Sequence, residues 1–317
     1  MNLLLIPWPF DIAPKQFTEV PRLAGELRNM PDEFGFFTFR QTTPQKSPVI
    51  DKVKSLFNKA REDMEQIDGV ILPELSITEH EHAAISEFVL DQQAFLVAGV
   101  GVDPPAPTEH GRNQACLDLP YQKPIVQRKH HRWKLDSSQI RQYGFGARLD
   151  PERQFWEHID ISDRRLVFAS LQPSLVMTVL ICEDLARPDP VGDLVRAVGP
   201  NLVIALLMDG PQLRARWPGR YAMSLADDPG CSVLSITSLG MSKLSRPLDG
   251  SNSRSRVVAL WKDARNPASI EVELPEKCEA IVLSLSMEYR EEWTADGRSD
   301  YGGAGYPTLS GIRGITC

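Results

Sequence analysis

An unbroken run of apolar and β-branched residues, Leu175-Val176-Met177-Thr178-Val179-Leu180-Ile181, stops at Cys182-Glu183-Asp184 and constrains the fold more than any other segment. It does not alternate polar with apolar, so a strand built from it must be covered on both faces. Similar strand-like runs recur at residues 3–6, 35–39, 69–72, 94–100, 125–127, 166–170, 202–207, 232–237, 255–260 and 280–284. Helix-period patterns lie between several of them, at 48–66, 78–90, 189–198 and 214–226. The first carries Ile50, Val53, Leu56, Phe57 and Ala60 on one stripe. In the second, Thr78 is the expected N-cap and Glu81 completes a capping box. β and α units mixed without a long linker predict one layered α/β domain, and 317 residues can bury a substantial core.

The division runs 1–285 for that domain and 286–317 for a tail. From Asp296 onward the tail is glycine-rich and lacks periodicity. It is expected to be irregular, lying across a neighbouring subunit or mobile. Pro104-Pro105-Ala106-Pro107 and residues 249–253 read as exposed loops.

Composition excludes several classes. A formal net charge of -7 argues against a nucleic-acid surface, apart from the local run Gln127-Arg128-Lys129-His130-His131-Arg132-Trp133-Lys134. No apolar stretch is long enough to span a bilayer, and the first residues lack a signal peptide's basic start. The five cysteines, Cys116, Cys182, Cys231, Cys278 and Cys317, have no paired spacing and read as reduced thiols in a cytoplasmic protein. Histidines without ligand spacing predict no metal. The missing G-x-G-x-x-G helix start, Walker A and G-x-S-x-G motifs remove the common nucleotide and serine-hydrolase readings, and no cofactor is expected.

Chemistry concentrates at three strand ends. Cys182 closes the run above, which gives a nucleophile a rigid mount, although a lone cysteine there is also ordinary packing. Asp68-Gly69-Val70-Ile71-Leu72-Pro73-Glu74 is an apolar strand that Pro73 should end, leaving Glu74 at the rim. By itself Glu74 reads better as a cap for the helix that follows. Pro124-Ile125-Val126-Gln127-Arg128-Lys129 leads a short strand into a cation, with a solvated charge run as the plain alternative and Lys134 as another holder of the role. A carboxylate can take a thiol's proton, an ammonium can stabilise a developing oxyanion, and a thiol can attack a carbonyl. His130 and His131 read as pocket wall or surface, and Trp133 and Trp156 as packing. Asp209-Gly210, after the strand at 202–207, lines the site or forms a plain turn.

The order Pro73-Glu74, Arg128-Lys129-x-His131 and Ile181-Cys182-Glu183-Asp184 resembles the nitrilase superfamily of carbon–nitrogen hydrolases. Gly111-Arg112-Asn113-Gln114-Ala115 resembles its asparagine-bearing strand, and Pro200-Asn201-Leu202-Val203-Ile204 the strand after the cysteine. Residues 232–237 with Gly240, then Asp249-Gly250-Ser251, resemble later landmarks, so the likeness covers about residues 1–285.

The resemblance implies a four-layer α-β-β-α sandwich, commonly paired as a homodimer. It implies Glu74 as general base, Lys129 as oxyanion-stabilising lysine and Cys182 as nucleophile. The family's second glutamate falls on Glu152 of Glu152-Arg153-Gln154-Phe155-Trp156, with Glu157 as runner-up. Glu183 and Asp209 are the expected substrate or oxyanion contacts. The expected activity is cofactor-free, metal-free hydrolysis of a small amide or carbamoyl compound through an acyl-enzyme. The alternatives are a nitrile hydrolase and a non-catalytic binding or regulatory module. Two spacings depart from the family. Glu74 to Lys129 is short at 55 positions, and Lys129 to Cys182 is long at 53, which should reshape the pocket mouth. Pro7, Pro9 and Pro14 also stand where the family's first helix would begin.

Overall fold

A computed structural model describes the chain apart from residues 22–29, 42–47, 105, 107, 108, 247–253, 265, 290, 291, 294–298, 301–304 and 317. The loop and turn expected at 249–253, and part of that at 104–107, therefore lie outside the described residues. The α-helices among the described residues are α1 (Pro48–Asp63), α2 (Glu79–Asp91), α3 (Ser137–Gln142), α4 (Asp193–Val198), α5 (Trp217–Asp227) and α6 (Leu239–Leu244).

The uniformly apolar runs become strands of two large mixed sheets. The first has the spatial order Tyr306–Ile315, Ala280–Glu288, Asn2–Leu5, Gly69–Thr78, Phe95–Val102, Arg112–Asp118, Ile125–Arg128. The second runs Phe168–Gln172, Leu175–Ile181, Leu202–Leu207, Ser232–Thr237, Val257–Lys262, Ser269–Glu273. Strand pleating sends alternate side chains to opposite faces, and here both faces are dry. Leu3, Leu5, Ile71, Val97 and Leu117 meet Met177, Val179, Ile181, Ile204 and Trp261 between the sheets. Leu4, Ile6, Val70 and Leu96 turn outward onto Val53, Leu56 and Phe57 of α1 and Ile85 and Val89 of α2. Leu180, Val203 and Leu207 turn outward onto Val195 of α4 and Ala222 and Leu225 of α5. Each such aliphatic side chain contributes roughly 1.5–3 kcal/mol by leaving water. The result is the four-layer α-β-β-α sandwich.

The capping box at α2 forms as its sequence predicts. Glu81 N donates to Thr78 Oγ1 at 3.4 Å, and Thr78 N donates to Glu81 Oε2 at 2.7 Å. The two unusual stretches of sequence, between the first strand and α1 and between Lys129 and Cys182, build a third sheet. Its order is Phe17–Glu19, Phe34–Phe39, Gln154–Glu157, Lys134–Leu135. Phe17, Phe37, Trp133, Tyr143, Phe145 and Phe155 pack beneath it against Leu75, Met208 and Met241.

Two expectations need correction. Pro73 does not end its strand: pairing continues to Thr78, with an irregularity between Leu72 and Ile77 that turns Glu74 inward instead of leaving it at the rim. Nor is the tail wholly irregular. Tyr306–Ile315 pairs antiparallel along Ala280–Glu288 and adds an edge strand to the first sheet. Backbone pairing, not apolar patterning, forms that strand, which lies at the edge of the sheet among the described residues.

Candidate active site

The first sheet carries Glu74, Asn113 and Lys129, and the second delivers Cys182 and Asp209 at neighbouring strand ends. Parallel pairing of Ile181 with Leu206 fixes the height of Cys182 relative to the chain leading to Asp209. Cys182 adopts φ 46°, a left-handed conformation that costs a non-glycine residue energy and is retained where surrounding structure enforces it. It opens a short 3-10 helix, Cys182–Ala186, so the strand hands over to a helical turn at the sulfur itself. Leu75, beside Glu74, has φ 50° and marks the corresponding turn in the first sheet.

Lys129 is fully buried, with its ammonium shared between two carboxylates: Nζ donates to Glu74 Oε1 at 2.8 Å and to Glu157 Oε2 at 2.7 Å. Asn113 Nδ2 donates to Glu74 Oε1 and Glu157 Oε1, both at 2.7 Å, tying the same two acids together from the other side. Glu74 Oε2 is buried with no hydrogen-bond partner among the described residues. The amide of Trp133 adds a bond to Glu157 Oε2 at 3.2 Å.

Burial sets the proton affinities. It pushes the Glu74 carboxyl up, helped by the negative charge of Glu157 and opposed by Lys129. Burial also pushes the Cys182 thiol well up, reinforced by Glu74 and, more weakly, by Asp209, while Lys129 pulls the other way. Burial alone would lower Lys129, but Glu157 and Glu74 outweigh it and hold the ammonium charged. The arrangement keeps the lysine as a cation beside a neutral thiol.

Asp184 couples the strand end before Lys129 to the one before Cys182. Its buried carboxylate accepts from the backbone of His130 at 3.0 Å and of His131 at 2.9 Å, and contacts His131 Nδ1 at 2.9 Å. The chain just after Lys129 is thereby pinned to the chain just after Cys182. The basic run around Lys129 is not a solvated face: Lys129 and His130 are buried, and Arg128 pairs with Asp160 at 2.5 Å.

Glu74 and Lys129 are in direct contact and the Cys182 thiol feels the charge of both, but Glu74 comes from within its strand and not from the strand's end, and it caps no helix. Glu152 does not join them. It is 80% exposed and pairs with Arg141, whereas Glu157, the runner-up, contacts Lys129. The reason is strand alternation: in Gln154–Glu157, Phe155 and Glu157 share the buried face, and Glu152 precedes the strand. Glu183 also turns away, pairing with Arg187 at 2.5 Å, and the inward acid of that turn is Asp184. Lys134 is exposed, lying over the Trp156 ring. Asp209 is buried and accepts hydrogen bonds on Oδ1 from the Tyr143 hydroxyl and, at 2.7 Å, from Arg216 Nη2. Tyr143 and Arg216 carried no signal in sequence, because their partner lies in another layer or past a turn.

No family model matches this sequence, and no curated protein matches it significantly. Solved structures do. The chain is similar to Saccharomyces cerevisiae Nit3, a member of branch 10 of the nitrilase superfamily, with TM-score 0.53 and 14% identity over 89% of this chain and 88% of that one. It is also similar to the NitN amidase of Nesterenkonia sp. AN1, with TM-score 0.52 and 12% identity over 90% of this chain and 93% of that one. A variant of the Nesterenkonia amidase with acrylamide added at its active-site cysteine gives TM-score 0.51 and 12% identity, over 90% and 93% of the two chains. The chain has the nitrilase-superfamily fold.

Proposed function

We propose that this protein is a carbon–nitrogen hydrolase that cleaves a small amide or carbamoyl compound through a covalent acyl-enzyme on Cys182. The observation that carries the reading is the buried cluster itself: Lys129 is gripped by Glu74 and Glu157 while a strained Cys182 faces the same charges. The fold shared with amidases supports it.

Glu74 Oε2, which has no hydrogen-bond partner among the described residues, takes the thiol proton as sulfur attacks the carbonyl carbon. The carbonyl π pair moves onto oxygen. An ammonium has three donors, and two of Lys129's serve the glutamates, so the third meets that oxygen together with the backbone N–H after Cys182. Glu74 then returns its proton to the departing nitrogen as the C–N bond breaks, releasing ammonia or an amine. A water that gives its proton to Glu74 attacks the thioester, and sulfur leaves and is reprotonated. Because the resting thiol is neutral, proton transfer accompanies attack instead of preceding it. Glu157 and Asn113 hold Lys129 and Glu74 in register and never exchange the reacting proton.

The test is hydrolysis of a panel of primary amides, carbamoyl compounds and nitriles, with intact-mass detection of an acyl adduct. Wild-type protein should turn over an amide or carbamoyl compound and Cys182→Ala should not. Undiminished hydrolysis by Cys182→Ala ends the proposal. A wild-type protein that neither hydrolyses any of them nor forms an adduct supports the binding-module reading instead. A homodimer and a cytoplasmic location belong to the same proposal.

A further inference from the structure

Asp209 sits one strand over from Cys182 with half of its carboxylate unused. Oδ1 accepts from the Tyr143 hydroxyl and from Arg216 Nη2, while Oδ2 is buried and has no hydrogen-bond partner among the described residues. The side chain is only 8% exposed. Arg216 repeats the pattern, because its Nε is likewise buried without a partner. Neither group is loosely held. Thr237 Oγ1 donates to the Asp209 carbonyl at 2.6 Å, the Gly210 amide donates to the Tyr143 hydroxyl at 2.9 Å, and Arg216 is the residue that opens α5. A buried acceptor and a buried donor left open in a rigid frame are costly unless a ligand completes them.

The charge of this pair decides what completes it. Asp209 is already balanced by Arg216, so a free ammonium or a free carboxylate would meet one favourable and one unfavourable charge. A neutral group offering both an N–H and a C=O satisfies both open atoms without adding charge. The register of the second sheet pairs Ile181 with Leu206, and the charge of Asp209 acts on the Cys182 thiol, so a group held by Asp209 belongs to the same site as the sulfur.

We infer that Asp209 and Arg216 form a specificity subsite for a second, uncharged amide or ureido group on the substrate, with Asp209 Oδ2 accepting its N–H and Arg216 Nε donating to its oxygen. The inference rests on the hydrolase reading for the position of the scissile group, but its test does not need turnover. Binding of succinamide and of its alkyl counterpart pentanamide to Cys182→Ala protein is measured by calorimetry, alongside the ammonium counterpart 4-aminobutanamide and the carboxylate succinamate. Succinamide should bind about tenfold or more tightly than each of the other three, a difference typical of hydrogen bonds to charged groups. Adding Asp209→Asn should bring the succinamide-to-pentanamide ratio close to one. Arg216→Lys, which keeps the charge that balances Asp209 but removes Nε, should reduce the ratio in a protein whose melting temperature reports folding. Equal binding of succinamide and pentanamide, preference for either charged ligand, absence of succinamide binding, or a ratio unchanged by both substitutions overturns the subsite. Hydrolysis by wild-type protein with no succinamide preference would overturn the subsite and leave the hydrolase reading standing.

Discussion

Gly99 and Glu74 are packed backbone against backbone: a Cβ on Gly99 would lie 2.4 Å from Glu74 Cα and 2.3 Å from the Pro73 carbonyl oxygen. No L side chain fits there without moving the bulge that aims Glu74 inward. Gly99→Ala should therefore cost about 1–3 kcal/mol of stability, the usual range for overpacking. It should also cut kcat/KM by more than that loss explains at temperatures where the variant is fully folded. Denaturant melts combined with steady-state kinetics test this, and full activity in a folded variant would mean that Glu74 is positioned by something else.

The left-handed backbone at Cys182 makes a prediction opposite to the usual effect of glycine. Cys182→Gly should be more stable than Cys182→Ala by about 0.5–1 kcal/mol, because glycine reaches φ 46° without the Cβ penalty. Urea titrations of the two variants give the difference directly. Alanine matching or exceeding glycine would show that the turn at Cys182 carries no strain.

Glu157 and Glu152 separate cleanly by substitution. Glu157→Gln leaves Lys129 with one carboxylate partner and, on the proposed reading, should lower kcat/KM by about 10²-fold or more, the scale expected when preorganised electrostatic stabilisation is weakened. Glu152→Gln, at an exposed pair with Arg141, should stay within about twofold of wild type. Comparable losses in the two variants would reverse the assignment.

A partly buried pair away from the thiol ties α2 to the first sheet. His82 Nε2 lies 2.6 Å from Asp118 Oδ2. Burial alone would lower His82, but the bond to Asp118, with Cys116 nearby, raises it from 6.5 to about 10. A histidine whose folded value lies above its unfolded one stabilises fully below the unfolded value and loses that contribution as pH climbs toward the folded one. Stability should thus fall between about pH 6.5 and 10, and His82→Gln should flatten that slope while costing about 3–5 kcal/mol at neutral pH. Urea melts across the window decide it. An unchanged slope in His82→Gln would assign the pH dependence to other groups.

What the sequence carries is local. The run Leu175–Ile181 and the capping box of Thr78 and Glu81 follow from periodicity and short-range hydrogen bonding, so sandwich layers and α2 were legible. Pro73 misled because a proline in a bulge and a proline at a strand end look alike until the neighbouring strand is seen. Glu157 could have been preferred over Glu152 by one cue, since Phe155 and Glu157 lie two apart and so share a strand face. Asn113 was visible only as a family landmark. Tyr143 meets Asp209 across 66 residues and a change of layer, and no local pattern encodes that. The strand Tyr306–Ile315 was hidden for a similar reason, since its partner supplies its definition.

Base and ammonium ride on one sheet and sulfur on the other, so the distance between them is set by the apolar filling in which Leu5, Ile71 and Val97 meet Ile181 and Ile204. On the proposed reading, core fit is therefore also a catalytic dimension. Trimming one methyl from that filling should leave a cooperative, well-folded protein whose turnover has already fallen, and on gentle heating reactivity should fade before the chain unfolds.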